Sequence, residues 1–418
     1  MSAIATHTQE RLAGAVDRPA RLLKLGVVTT AAPPSSSGQA RVLEHLLVPK
    51  RVSPPVYLTD QIHTLEAGLR FGSYHSLSPP RCQVSREPGL LQRVDQFGKL
   101  LRSAISRTKE ISAVLRAEPV DVIVGCTASP FDLPAAYFAS RRLGLPFVAY
   151  LFDDPVFQWE PGLYRALARF CEPIWGRGAA AVIAPNEVLA EDVRARLPAA
   201  KIHIVRNPVD PSSFSDAQTG KLQDRPGPKL GKPWRLVYTG SVYSAQASAF
   251  RNLNAALNKL GGLFELEIYT PQPAAALAAN GLDGPFVHHH PQAPWSTVLS
   301  LQCNADILFL PLAFDSAIPE AIRSSSPAKL GEYLAACRPI LVHAPKGSFT
   351  TEILRQAGAA AIADTSSPDL LISALTAMAA DPELRRRIVG NASRLAKEFH
   401  VERARDAFCS VFSSLSVK

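Results

Sequence analysis

One segment decides the fold of this chain and its candidate site: residues 324–341, with the sequence SSSPAKLGEYLAACRPIL. Its serines predict a loop of hydroxyls that becomes a helix at Pro327. Ser326 is a suitable N-cap, and proline is tolerated at the first helical position because its missing N–H would be unpaired there. The helix should end near Cys337. The apolar run from Pro339 to Val342 then predicts a buried strand.

The first turn of this helix predicts an anion site. A helix N-terminus offers free N–H groups and a positive dipole end, here near Ser325 and Ser326. Lys329 adds a positive charge, and Glu332 lies three residues further on, hence on the same face. Together they offer donors for a phosphate and a carboxylate acceptor for hydroxyls, which suits a nucleotide diphosphate with its ribose. The alternative is a capped helix that only packs within an α/β domain.

The segment resembles the donor-binding signature of the GT-B glycosyltransferases, in particular the family-4-like group of retaining enzymes. That signature pairs two glutamates eight positions apart, followed by a small-residue helix and a "G-[KR]-P-[IV]" exit. Glu332 matches the second glutamate, and residues 334–341 match the exit. Ser324 stands at the first glutamate position and Cys337 at the usual glycine. The resemblance implies an α/β fold of GT-B architecture, in which two Rossmann-like doubly wound domains face a central cleft.

The length of the chain agrees with two domains, since 418 residues are too many for one hydrophobic core. The formal charge is 45 − 36 = +9. A basic chain suits anionic partners such as sugar nucleotides, nucleic acid or an anionic membrane face. No nucleic-acid motif accompanies the charge and aromatic residues make up only 7%, so nucleic acid is disfavoured as a partner.

The cysteine pattern and the hydropathy favour a cytoplasmic protein, at most peripheral to a membrane. The six cysteines are scattered, with no C-x-x-C motif, as expected of reduced thiols. Residues 1–21 are polar and predict a disordered leader rather than a signal peptide. No apolar run approaches the roughly 18 residues that span a bilayer.

The predicted first domain, residues 22–210, opens with a strand, a glycine-containing loop and a helix. The strand covers residues 22–30, and the helix begins near Gln39, directly after Gly38. This is the geometry of a Rossmann-type opening, but the loop is not G-x-G-x-x-G, so no dinucleotide cofactor is expected. In GT-B proteins this loop faces the cleft near the diphosphate and the acceptor, which makes Gly38 a candidate donor-binding residue. An ordinary strand-to-helix connection is the alternative.

A long amphipathic helix is predicted over residues 92–117. Its apolar face is typical of a helix that covers a sheet, and its other surface is basic. The solvated face of such a helix is the commoner explanation of that basic surface. A role at a membrane surface is the alternative.

Two adjacent carboxylates, Asp153 and Asp154, follow a predicted strand over residues 146–152. Sites of doubly wound sheets lie at the carboxyl ends of strands. Adjacent residues leaving a strand point to opposite sides, so at most one of the two faces the cleft. The resemblance implies a polar side chain here, near the reacting sugar carbon. A general base is needed if the enzyme inverts, and is dispensable if it retains. The alternative is a cap or turn made by Asp154.

After a predicted linker, residues 211–233, the second domain covers residues 234–395. Its first strand is followed by Gly240 and Ser241, where the resemblance implies a donor-phosphate loop. The arginine and lysine that relatives carry in this loop are absent, and Arg251 is the nearest cation. Lys329 is therefore the candidate for most of the charge compensation.

The resemblance places the nucleotide base at the ends of the next two strands. Tyr269 and Thr270 end the strand over residues 263–270, and His290 ends the following one. His288 and His290 share a face, but no third ligand at suitable spacing is evident, so no metal site is expected. Ser324 and Leu330, beside the residues already named, complete the candidate donor set.

These features predict a glycosyltransferase of the hexosyltransferase type that needs no metal or cofactor. It would move a sugar from a nucleotide-diphosphate donor to a glycan, lipid-linked or small-molecule acceptor, with Asp153, Asp154 and Lys329 as catalytic candidates. A last helix, residues 396–418 with a kink near His400, should return to the first domain. Three rivals stay open: an epimerase of the same fold, a degenerate nucleotide-binding protein, and a basic scaffold at a membrane surface.

Overall fold

The computed structural model describes residues 22–65, 70–79, 90–214, 231–413 and 415. The predicted leader and most of the predicted linker lie outside these residues. The elements of the first domain are, in chain order, β1 (Leu25–Val28), α1 (Gly38–Leu46), β2 (Val56–Thr59), β3 (Ser73–Ser76), α2 (Leu90–Ala117), β4 (Val122–Cys126), α3 (Asp132–Leu143), β5 (Phe147–Tyr150), α4 (Leu163–Gly178), β6 (Ala181–Ala184), α5 (Glu187–Arg196) and β7 (Ile202–Ile204).

The second domain continues the alternation of strands and helices. Its elements are β8 (Trp234–Thr239), α6 (Ala247–Leu260), β9 (Phe264–Thr270), α7 (Ala274–Ala279), β10 (Val287–Pro291), α8 (Trp295–Cys303), β11 (Ile307–Pro311), α9 (Pro319–Ser324), α10 (Lys329–Ala335), β12 (Ile340–His343), α11 (Phe349–Ala357), β13 (Ala361–Ala363), α12 (Pro368–Ala380) and α13 (Pro382–Leu395), followed by the crossing helix α14 (Val401–Ser413).

Each domain is built on one parallel sheet. The strand order is β3-β2-β1-β4-β5-β6-β7 in the first and β10-β9-β8-β11-β12-β13 in the second. In both sheets the order reverses direction at the first strand, β1 or β8. Ligands of doubly wound sheets bind outside the carboxyl ends of the strands at such a reversal. The predicted fold class, α/β with two doubly wound domains, is confirmed.

The central strands are apolar on both faces because helices cover both sides of each sheet. In the first domain one face packs against α2 to α5, with Ile111 and Leu115 of α2 in that core. The other face packs against α1 and α14. Among the described residues, no helix combines the length and the apolar character that crossing a membrane requires.

Two crossing segments join the domains. The helix that precedes the second crossing ends at Leu395, a short 3-10 turn follows, and His400 is extended before α14 begins. Phe408 and Phe412 of α14 then pack into the core of the first domain. Val209, on the first crossing, donates its N–H to the Phe399 carbonyl at 2.8 Å and accepts from Val401 N–H at 2.9 Å. The two segments are therefore paired along their backbones.

Several elements have no counterpart in the sequence analysis, among them β2, β3 and α4. Both strands have only four residues, too few for a periodic pattern to stand out. The helix α4 contains Pro173 in its interior, which argues against a helix from sequence alone.

Candidate active site

A cavity of about 710 Å³ opens between the two domains, at the carboxyl ends of both sheets. It is lined from the first domain by α1 and the loops before it and after β5. From the second domain it is lined by the end of β9, the loops after β8 and β10, and the start of α10. Nine of the sequence-predicted site residues line it: Gly38, Asp153, Gly240, Ser241, Tyr269, Ser325, Ser326, Lys329 and Glu332.

The serine loop before α10 is held by side chains from other elements. Asn186 and Asn207 of the first domain donate from Nδ2 to the carbonyls of Ser324 (2.9 Å) and Ser326 (2.7 Å). Thr350 donates from Oγ1 to the Ser325 carbonyl at 2.9 Å. Hydrogen bonds from other elements thus hold three consecutive carbonyls, and two of these hydrogen bonds connect the two domains.

Because of these hydrogen bonds, the helix α10 starts later than the sequence predicts. The helix α10 begins at Lys329 rather than at Pro327, and its N-cap is Ala328, with no capping side chain. The tertiary bonds to the carbonyls hold residues 325–327 outside the helix, so Ser326 cannot act as its cap. Instead the Ser326 hydroxyl and Asn207 Oδ1 are buried at the cavity wall, and neither has a hydrogen-bond partner among the described residues. Both are available to a ligand.

Lys329 projects from the start of α10 toward β8. Its Nζ donates to the Tyr238 hydroxyl at 2.7 Å and lies 3.9 Å from the centre of that ring. Burial lowers the pKa of the Lys329 ammonium to about 7, and the nearby charge of Glu332 offsets only part of this effect. A bound anion would restore the charged form, because an opposite charge at short range favours ionisation.

Glu332 lies one turn further along α10 and is held by a buried glutamine. Gln302 Nε2 donates to Glu332 Oε2 at 2.7 Å and also to Thr239 Oγ1 at 3.0 Å. Burial raises the pKa of Glu332, while the Gln302 hydrogen bond and the charge of Lys329 lower it by less. The result is an oriented carboxylate at the cavity wall beside a lysine, as the sequence spacing indicated.

The loop after β8 approaches Lys329 closely. Gly240 has a φ of +120°, and a Cβ at this position would lie 3.0 Å from Lys329 Nζ. The glycine therefore leaves room for the lysine, and the Ser241 carbonyl accepts from the Tyr238 hydroxyl at 2.6 Å. Arg251, the nearest cation in sequence, instead donates to Asp315 at 3.0 Å and does not line the cavity. Within the described residues, Lys329 is the cation at this loop.

The two adjacent carboxylates of the first domain have separate roles. Asp153 is exposed to the cavity, and desolvation by the surrounding walls, followed by the charge of Asp154, raises its pKa to about 6. Asp154 is buried and lies outside the cavity lining. Its Oδ1 accepts from the N–H groups of Val156 (2.9 Å) and Phe157 (2.8 Å), and its Oδ2 from Arg196 (2.9 Å). Asp154 was predicted as a catalytic candidate, but in the structure it caps a turn outside the cavity lining.

The start of α1 forms the opposite wall. Ser37 caps the helix, and a Cβ on Gly38 would lie 3.2 Å from the Cβ of Ala328. The glycine therefore permits close approach of the domains. Arg41, one turn further on, places its guanidinium 4.8 Å from the centre of the Trp295 ring in the second domain. Both residues line the cavity.

Of the three residues predicted to lie near the nucleotide base, only one lines the cavity. Tyr269 lines the cavity and stacks on His290, with ring centres 4.5 Å apart. His290 itself pairs with Glu267 and lies outside the lining. Thr270 is buried and its hydroxyl donates to Gln272. His290 and Thr270 therefore lie behind the wall, and can act on a ligand only through Tyr269 or the backbone.

Two further candidates of the α10 segment also lie away from the cavity. The Leu330 side chain is fully buried in the core of the second domain, and its N–H donates to the Pro327 carbonyl at 2.9 Å. The Ser324 hydroxyl donates to the Glu320 carbonyl at 3.3 Å. Ser324 ends α9 rather than opening the loop. No side chain therefore reaches the cavity from position 324, to which the resemblance assigned the first glutamate of the signature.

The histidines of β10 have partners that the sequence did not reveal. In the parallel register His288 lies opposite Glu267, and the ligand atoms of Glu265, Glu267 and His288 lie within 4.8 Å of one another. The two glutamates lie on the neighbouring strand, more than twenty residues earlier. This cluster is separate from the cavity lining.

Among the residues at or beside the cavity that had no predicted role, three make notable contacts: Arg41, Asn207 and Gln302. Asn207 lies in the R-N-P-V-D run, residues 206–210, that closes the first domain. This run is the feature of the sequence that could have identified Asn207. Arg41 is the first cation after the glycine loop and lies one turn from Gly38. Gln302 carried no signal, because its partner Glu332 lies 30 residues away.

The fold places this chain among proteins of the GT-B class. It shares its architecture with HepE from Anabaena (14% identity, TM-score 0.63, covering 94% of this chain and 100% of that one). A glycosyltransferase from Rickettsia africae aligns similarly (13%, TM-score 0.64, 95% and 100%). So does a UDP-forming α,α-trehalose-phosphate synthase from Burkholderia xenovorans (13%, TM-score 0.63, 94% and 100%).

The sequence comparison agrees with the fold. Residues 76–213 match Glycosyltransferase Family 4. No curated protein matches the chain in sequence. The resemblance predicted from the α10 segment, to GT-B glycosyltransferases of the family-4-like group, is confirmed, here by a match in the other domain.

Proposed function

We propose that this protein is a glycosyltransferase that moves a sugar from a nucleotide-diphosphate donor to an acceptor. One observation carries the proposal: a single interdomain cavity holds Lys329 and Glu332 on one wall and Asp153 on the other. Its volume, about 710 Å³, is in the range of small-molecule sites. In support, the HepE structures contain UDP, UDP with glucose, or UDP-glucose.

The diphosphate would bind between Lys329 and the loop after β8. The lysine is the cation at this loop within the described residues, and desolvation leaves it poised to gain a proton when an anion binds. The unpartnered Ser326 hydroxyl supplies a further donor. A positive charge fixed beside the leaving phosphate lowers the barrier to its departure. This arrangement would not require a metal ion.

The ribose hydroxyls would bind to Glu332. A carboxylate accepts hydrogen bonds from two vicinal hydroxyls, and Gln302 fixes its orientation in advance. The base would then lie toward Tyr269 and Trp295, two aromatic residues of this wall.

In the transfer step, an acceptor oxygen forms a bond to the anomeric carbon while the bond from that carbon to the diphosphate oxygen breaks. The nucleotide diphosphate leaves with the electron pair, beside Lys329. If configuration is retained, as we propose, the acceptor proton passes to the leaving phosphate oxygen. Retention is the outcome named for trehalose-6-phosphate synthase, which shares the fold (13% identity, TM-score 0.66). If configuration is inverted, Asp153 is the base that takes the proton.

The test is to incubate the purified protein with UDP-, GDP-, ADP- and dTDP-sugars, with and without pools of candidate acceptors. Release of nucleotide diphosphate that depends on an acceptor supports transfer, and NMR of the product shows the anomeric configuration. Conversion of the donor sugar without acceptor would instead establish an epimerase.

Binding without any turnover would establish a degenerate protein. In favour of this alternative, the Ser324 hydroxyl bonds to the Glu320 carbonyl and does not reach the cavity. No binding of any donor would overturn the assignment of the cavity.

A further inference from the structure

The positive charge of this protein is concentrated on one layer of helices. On α2, α3 and α4, nine basic side chains are exposed: Arg93, Lys99, Arg102, Lys109, Arg116, Arg141, Arg142, Arg169 and Arg177. Among the described side chains of these helices, Asp95 is the exposed acidic one, and it pairs with Lys99 at 2.7 Å. The exposed side chains of these three helices thus carry nine positive charges and one negative charge among the described residues.

The same three helices also expose apolar side chains. Twelve large hydrophobic side chains are exposed among the described residues, and half of them lie on this layer: Leu91, Val94, Ile105, Phe138, Phe170 and Ile174. Leu91 is 86% exposed and Val94 67%. Scattered exposed apolar residues are ordinary, but a cluster of them on one surface marks an interaction site.

On α2 the apolar and basic residues form one stripe. Leu91, Val94, Arg102, Ile105 and Lys109 follow each other at spacings of three, eight, three and four residues, which brings them to the same side of a helix. The opposite side of α2 is buried against the sheet. A helix with aliphatic residues and cations together on its solvent side is suited to lie in the plane of a membrane interface.

One part of this surface, the first part of α2, lies on the cavity side of the first domain. Halfway along α2, Arg107 pairs with Asp60 (3.3 Å) and Asp132 (2.7 Å), which follow β2 and begin α3 at the carboxyl edge of the sheet. The half of α2 before Arg107 therefore extends beyond that edge. Phe97 of this half packs edge-on against Phe170 of α4, with ring centres 6.0 Å apart.

We propose that the outer surface of α2, α3 and α4, here named the basic layer, docks on an anionic lipid bilayer. The cations would contact lipid phosphates, and Leu91, Val94, Ile105 and Phe170 would insert among the acyl chains. Nucleic acid fits less well, because single strands are held by stacking on aromatic side chains and the most exposed residues here are aliphatic. Docking in this way brings the acceptor side of the cavity next to the lipid.

The experiment is sedimentation of the full chain with phosphatidylcholine vesicles, with and without phosphatidylglycerol, across a salt series. We expect binding that requires phosphatidylglycerol and weakens as salt is added. The double variant Arg102→Glu/Lys109→Glu should lower the partition coefficient by at least about tenfold, because each basic residue near an anionic surface contributes appreciably. Val94→Glu should lower it too, and this effect should persist at high salt.

The matched control is Leu370→Glu, an exposed leucine on α12 in the other domain (40% exposed). It should leave binding unchanged. All substituted side chains are exposed, so each variant should keep the melting temperature of the wild type. Nucleotide is absent from the assay, so its outcome is independent of the proposed transfer reaction.

Three results would overturn the proposal. One is equal binding to vesicles with and without phosphatidylglycerol. Another is equal binding by the wild type and the Arg102→Glu/Lys109→Glu variant. The third is displacement of the protein from vesicles by single-stranded RNA at lower concentration than by soluble phosphatidylglycerol micelles, which would make the basic layer a nucleic-acid surface.

Discussion

The two walls of the cavity differ in how their polar groups are held. On the second-domain wall Lys329 and Glu332 are anchored by Tyr238 and Gln302. On the first-domain wall the Asp153 side chain is exposed to the cavity, while Arg41 pairs with Glu44 at 2.7 Å and rests on Trp295 of the opposite wall. A site whose groups are oriented before the ligand arrives loses little free energy in organising them.

This difference indicates a division of labour. The anchored wall suits a ligand of constant structure, the nucleotide diphosphate. The open wall suits the proposed acceptor. Substitutions on the two walls should therefore have unequal effects on donor affinity.

The largest expected effect on donor affinity comes from Lys329→Met. A hydrogen bond to a charged group contributes roughly 1.5–3 kcal/mol, so the dissociation constant for the preferred nucleotide should rise by about 100-fold. Isothermal titration calorimetry measures this change. Lys259→Met is the control, because that lysine is exposed on α6 and pairs with Asp369. Equal losses in both variants would mean that Lys329 is not a site residue.

The second-largest expected effect is that of pH on donor affinity. Burial lowers the pKa of Lys329 to about 7 in the free protein, so above this pH the lysine must take up a proton to bind a diphosphate. Donor affinity should therefore fall as pH rises above 7, by up to about tenfold per pH unit. The slope should disappear in Lys329→Met. If donor affinity still depends on pH in Lys329→Met, a group other than Lys329 is responsible for the pH dependence.

Glu332→Gln should weaken donor binding by about tenfold, because the amide accepts hydrogen bonds from hydroxyls less strongly than a carboxylate does. Titration with a ribonucleotide and with its 2′-deoxy analogue sharpens the result. The wild type should prefer the ribonucleotide, and the variant should lose most of that preference. An unchanged preference would place the ribose elsewhere.

Gln302→Met should have a smaller effect, about threefold on donor affinity. The methionine nearly preserves volume but removes the hydrogen bonds to Glu332 and Thr239. A positioning role predicts that the ribose preference falls together with affinity. If affinity falls while the preference stays, the effect of Gln302 is on stability alone, which thermal unfolding would show.

The smallest effect on donor affinity is expected for Asp153→Asn, within about twofold. Its effect on turnover distinguishes the two mechanisms. In an inverting enzyme kcat should drop strongly, and the acidic limb of the pH profile near pH 6 should disappear with the carboxylate. In a retaining enzyme both changes should be slight.

The sequence predicts local features of the site well. The helical spacing of Lys329 and Glu332, their common face and the strand that follows are all consequences of neighbours within a few residues. The alternation of strands and helices likewise predicts the two doubly wound domains, because its signals are repeated along the chain.

Features that depend on distant residues were not predictable. Ser326 looks like an N-cap by sequence, but Asn207, 119 residues away, binds its carbonyl and holds it outside the helix. The sequence left open whether Asp154 faces the cleft, and the partner of its second oxygen is Arg196, 42 residues away on α5. After α10, Cys337 adopts a φ of 56°, a conformation that favours glycine, which is the residue expected there from the resemblance.

The most direct test of the division between the walls is one calorimetric series with a single donor nucleotide. It compares the wild type, Lys329→Met and Asp153→Asn at pH 7. We predict that affinity falls by about 100-fold in Lys329→Met and stays within about twofold of the wild type in Asp153→Asn. Equal losses in the two variants, or a greater loss in Asp153→Asn, would contradict the assignment of the donor to the second-domain wall.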